Sequence, residues 1–257
     1  MLRTAARTAL RSLARPTPTC TAARAVAFAV SRPCPSFHMA RSASTTAGPS
    51  SSFDPQEVAA QQALDEGTEA LQQGDFEGAQ KAYKKSVAVK ATSIGYYNLG
   101  VVQYQLQQLP LAIASFEKSL SLTPEGVKVT LPDPAAPIPE LTPAQIILAD
   151  THTNLGAAYI LSKPPNPAKA LEHLQKALMV NPDDGEVCYN LAAVLEATGE
   201  LEEALVAFQR AAKLGIQRAE ANIRNVSAKI IGKKREEEAK DKSTGGSIAT
   251  QDVSPSS

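Results

Sequence analysis

Residues 185–218 read GEVCYNLAAVLEATGELEEALVAFQRAAKLGIQR. Two apolar stripes at helical spacing run through this stretch. Val187, Leu191, Val194 and Leu195 make the first, and Leu201, Ala204, Leu205, Phe208, Ala211 and Ala212 make the second. Gly199 separates them, beside the acidic Glu200, and marks a turn. Small residues (Ala192, Ala204, Ala211) stand where the two helices must approach, because larger side chains there would hold the backbones apart. A hairpin of this size buries only part of its apolar surface, so it needs stacked neighbours.

The stretch resembles a tetratricopeptide repeat (TPR), a helix-turn-helix unit of about 34 residues. In that pattern Leu191-Ala192 fills the usual Leu-Gly pair, Leu195 the usual aromatic, and Ala204, Phe208 and Ala211 the positions of the second helix. Ile216 stands where the closing Pro is usual. Copies recur upstream. Tyr96, Leu99-Gly100, Ala112, Phe116, Ser119 and Pro124 fit a repeat at 93–126. Leu155-Gly156, Tyr159, Ala170, Leu174, Ala177 and Pro182 fit one at 149–184, whose turn is lengthened within Lys163–Pro167. A weaker copy lies at 60–93, with Gly67, Gly74, Phe76, Ala79 and Tyr83. The resemblance implies an all-α fold: a solenoid of four helical hairpins over 54–231, closed by a capping helix at 219–231.

Helix punctuation agrees with that division. Asp54-Pro55 with Glu57, and Thr142-Pro143 with Gln145, read as capped helix starts. Helices are expected at about 55–73, 76–90, 93–107 and 110–122, then to about Leu161, and at 167–180. A proline-rich insertion at 124–141 carries Pro132, Pro134, Pro137 and Pro139, which forbid a continuous helix. Val127, Val129 and Leu131 alternate with polar residues there, as in a short extended piece. Lys233–Lys242 is expected to fray, and the polar tail that ends residues 232–257 to be disordered.

The net charge of zero hides an asymmetry. Residues 1–41 hold seven Arg and no acid, so the rest of the chain carries 19 basic against 26 acidic residues, a formal −7. An acidic body argues against wrapping a nucleic-acid backbone. Arg3, Arg7, Arg11 and Arg15 fall on one helical stripe beside Leu2, Ala6, Ala9, Leu10 and Leu13. Residues 1–47 therefore read as a mitochondrial transit peptide, processed near Arg41–Thr46 and directing the chain to the matrix. No apolar run is long enough for a membrane span.

No glycine-rich phosphate loop, metal-spaced Cys/His cluster or catalytic constellation is present in the sequence, so neither cofactor, metal nor enzymatic activity is expected. His152 and His173, one in each helix of one hairpin, read as packing or solvated residues, and Cys188 as a small core residue.

Asn98, Asn154 and Asn190 each precede the Leu-Gly or Leu-Ala pair of their repeat. The resemblance places them on the concave groove, where an amide can both donate to and accept from the backbone of an extended peptide. Tyr97, Val101, Tyr104, Tyr189 and Ala193 would line that groove. The alternative is that these amides bond only locally. Some TPR proteins clamp the acidic tail of heat-shock chaperones. Here Leu64, Thr68, Asp150 and Asn154 replace four clamp residues and only Asn98 matches, so that tail is not an expected partner. The expected function is a mitochondrial adaptor or assembly factor that binds a peptide segment of another protein. A permanent structural subunit of a larger complex is the alternative, and an RNA-binding repeat protein ranks below both.

Overall fold

The structure, a computed structural model, describes residues 54–125, 127 and 140–245, with backbone alone for 242–245. The expected transit peptide, most of the proline-rich insertion with its expected extended piece, and the last part of the tail lie outside the described residues.

Nine helices and no strand are found among the described residues. They are α1 (Pro55–Gln72), α2 (Phe76–Val89), α3 (Ser93–Gln105), α4 (Leu109–Leu122), α5 (Pro143–Leu161), α6 (Pro167–Val180), α7 (Gly185–Thr198), α8 (Leu201–Lys213) and α9 (Ala219–Gly245). Side-chain oxygens cap the starts of α1, α2, α3, α5, α6 and α7. Asp54 accepts from the Gln56 N–H at 3.0 Å and Asp75 from the Gly78 N–H at 2.8 Å. At α5, Thr142 and Gln145 form a reciprocal capping box. Each such cap contributes about 1 kcal/mol.

The tightest turns need a left-handed residue. Gly74 (φ 78°) and Gly199 (φ 91°) supply it after α1 and α7. Between α3 and α4 the corresponding residue is Gln107, at φ 59°. A side chain there carries a steric cost that glycine avoids.

Four hairpins result: α1–α2, α3–α4, α5–α6 and α7–α8. Within them, a large side chain of the second helix seats on the small residue of the first. A Cβ on Gly100 would lie 2.7 Å from the Phe116 ring, and one on Gly156 would lie 2.8 Å from Leu174 Cγ. Phe116, Leu174 and Phe208 are fully buried. This close approach is the physical content of the Leu-Gly pair.

The second helix of each hairpin packs on the first helix of the next. In addition α3 touches α5, and α5 touches α7, while no comparable contact joins α4 to α6 or α6 to α8. From α3 to α7 the first helices are thus closer together than the second helices. They form the inner wall of a curved stack, and the second helices splay on the outer side.

Helix α9 closes the stack on α8, burying Ala219, Val226 and Ile230. Beyond Ile231 it buries no described side chain, yet it runs on to Gly245. The fraying expected after residue 231 is not what the backbone does. Strong helix formers dominate there, and Glu236 stands four residues before Lys240, a spacing that supports an exposed helix.

Candidate binding face

Asn98, Asn154 and Asn190 occupy equivalent places on α3, α5 and α7, the three helices of the inner wall. Their environments differ. Asn98 is half-buried, whereas Asn154 is 5% and Asn190 1% exposed. A ladder of three solvent-presented amides is therefore not what the fold offers. The reason lies in the contacts between first helices. α5 is held between α3 and α7 and backed by α4 and α6, and its residues Thr151–Tyr159 are all buried. Helical periodicity names the face of a residue but not how closely the next hairpin approaches that face.

The aromatic lining is also deeper than expected. Tyr97 and Tyr104 are buried and Ala193 is 6% exposed, while Val101 and Tyr189 remain half-buried. Tyr97 lies 6.2 Å from Phe116, centroid to centroid. The Tyr104 hydroxyl has no hydrogen-bond partner among the described residues, and burial pushes its pKa up to about 12. Tyr189 is held by the capping region. Its hydroxyl donates to Asn222 Oδ1 at 3.4 Å, Phe208 meets it edge-on at 5.4 Å, and the Arg218 guanidinium lies 4.2 Å above its ring. Asn98 and Val101 on α3, with Tyr189 on α7, are the accessible part of the expected groove.

A polar cluster that sequence reasoning missed joins α4, α5 and α6. His152 and His173 meet Nδ1 to Nδ1 at 3.0 Å, and Tyr159 stacks on His173 with 9° between the rings. The Tyr159 hydroxyl donates to Glu117 Oε1 at 2.7 Å, and Lys169 Nζ donates to that hydroxyl at 3.3 Å. Burial, then the neighbouring His173 and Lys176 cations, lower the His152 pKa to about 4. The only sequence signal was the placement of one histidine on each helix of a hairpin. Cys188 is buried, and burial raises its thiol pKa, as for an inert core residue. Among the described residues no group of three or more potential ligands could hold a metal ion, and no helix is long and apolar enough to cross a membrane.

Two family descriptions, both tetratricopeptide repeat, match residues 64–127 and 166–228. The chain carries tetratricopeptide repeats. The matched segments stop before α5 and resume at α6, so they leave out the first helix of the third hairpin and the insertion before it. Spatially, that hairpin packs like the others.

No curated protein matches the chain. Solved structures are similar in fold. MamA from Desulfovibrio magneticus RS-1 (residues 41 to the end) is 18% identical over 75% of this chain and 98% of that one, with a TM-score of 0.54. The APC/C hetero-tetramer Cut9-Hcn1 is 19% identical over 65% of this chain and 30% of that one, at 0.53. YrrB, described as a TPR protein with an unusual peptide-binding site, is 22% identical over 66% of this chain and 82% of that one, at 0.50. At these identities the likeness concerns the TPR solenoid itself.

Proposed function

We propose that this TPR chain is a mitochondrial interaction scaffold, an adaptor or assembly factor, that holds a segment of another protein against its inner wall. The observation that carries the reading is the continuous wall of α3, α5 and α7, with Asn98 and Val101 at its surface. An amide beside an aliphatic side chain suits a peptide backbone with one apolar residue. YrrB, of like fold, has a peptide-binding site by its description, which is consistent with this use of the architecture. The address rests on the N-terminal sequence: an arginine stripe with no acid before Asp54.

A photo-crosslinker placed at Val101 in the full chain tests the wall. One partner protein captured through one short segment, and lost with Asn98→Ala, is the expected result. Diffuse capture, or capture indifferent to Asn98, refutes it. Import into isolated mitochondria tests the address separately, since a potential-dependent shortening of the chain is required.

The burial of Asn154 and Asn190 favours a second reading, a permanent subunit that contacts its complex through other surfaces. Fixed-stoichiometry co-migration on native gels, unaffected by Asn98→Ala, would select it.

A further inference from the structure

The outer face carries a groove that the inner-wall reading does not use. It lies between α6 and α8 with α7 beneath, where the second helices splay, and has a volume of about 580 Å³. Leu178, Leu191, Leu195 and Ala207 give it an apolar lining, and Val206 in its wall is 65% exposed. Glu200, Glu202 and Glu203 stand along its rim. None of the three is in an ion pair among the described residues. The one cation of the lining, Arg210, donates to the Pro182 carbonyl at 2.6 Å. Acids in the first turn of α8 also offset the helix dipole, but that role does not account for an exposed valine among them.

An apolar trough with an acidic rim fits an amphipathic helix with a cationic stripe. The chain contains that chemistry at its N-terminus. Arg3, Arg7, Arg11 and Arg15 form the stripe, and Leu2, Leu10 and Leu13 are its apolar members. We propose that the groove between α6 and α8 seats the chain's own residues 2–15. Residues 16–53 connect the two. At about 3.3–3.6 Å per residue they reach beyond 100 Å, while four hairpins spaced by about 10 Å make a stack of roughly 40 Å. Seating covers Val206 and neutralises the rim. It also hides the arginine stripe from any other receptor until a competitor displaces it. The proposal stands independently of the inner-wall function and concerns the chain before residues 1–47 are removed.

The test uses the full chain with a nitroxide on Cys20, Cys34→Ser, and the buried Cys188 left in place. Methyl signals of Val206 and Leu178 should be broadened, while those of Leu111, which is 51% exposed on α4, should not. Glu202→Lys with Glu203→Lys should lower the docked population about tenfold and restore the signals. Combining it with Arg→Glu at 3, 7, 11 and 15 should bring the broadening back. Equal broadening at Val206 and Leu111, or no recovery in the charge-swapped chain, overturns the proposal. Broadening that appears only between labelled and unlabelled molecules in a mixture also overturns it, because it assigns the groove to a second copy.

Discussion

His152 on α5 and His173 on α6 share a hydrogen bond between their Nδ1 atoms, 3.0 Å apart. When both rings are neutral, one Nδ1 donates and the other accepts, so the two histidines hold opposite tautomers. Facing them are Lys176, Glu172 and Lys169 on α6 and Glu117 on α4.

Acid should therefore loosen this hairpin. The folded chain resists protonating His152, whose pKa falls from 6.5 to about 4, whereas the unfolded chain accepts the proton near 6.5. The stabilisation is complete above pH 6.5 and is lost as pH falls towards 4, to a total on the order of 3 kcal/mol. Denaturant midpoints measured across that window should decline for the wild type and flatten for His152→Gln. An unchanged slope in the variant would show that other groups carry the acid sensitivity.

The seating of Phe116 on Gly100 predicts a sharp contrast between two glycines. Gly100→Ala forces its methyl group against a buried ring and should cost about 1–3 kcal/mol in spite of the better helix propensity. Gly232→Ala meets nothing within 4 Å in α9 and should be neutral or stabilising by up to about 1 kcal/mol. Thermal melts should fall for Gly100→Ala and hold or rise for Gly232→Ala.

Gln107 takes a left-handed conformation (φ 59°) where the first and last hairpins use glycine. Gln107→Gly should raise stability by about 1 kcal/mol, the relief of the steric cost less the entropy of glycine in the unfolded chain. A drop in the unfolding midpoint would mean that the Gln107 side chain contributes more than its backbone costs.

Tyr104→Phe removes a hydroxyl that is buried and unpartnered among the described residues. Unsatisfied polar groups cost about 1–3 kcal/mol, so the variant should match or exceed the wild type in denaturant resistance. Clear destabilisation would reveal a hydrogen bond to that hydroxyl.

Asn98 and Asn190 occupy equivalent repeat positions but should respond differently to alanine. Asn190 is 1% exposed, and its loss should cost about 1–3 kcal/mol of stability. Half-buried Asn98 should change stability by less than about 1 kcal/mol. Equal effects would place the two amides in similar surroundings.

The all-helical hairpin architecture was legible because it is written in short-range spacing. Stripes at helical period, a glycine such as Gly199 between them, and caps such as Thr142 with Gln145 depend only on neighbours in the chain. The Leu99-Gly100 pair likewise announced its contact with a large residue of the following helix. Burial of Asn154 and Asn190, the meeting of His152 with His173, and the groove between α6 and α8 arise from how separate hairpins lean on one another. That lean is the sum of many side-chain contacts between residues far apart in sequence. Only the assembled stack sets it, and it decides which residues of the inner wall still reach water.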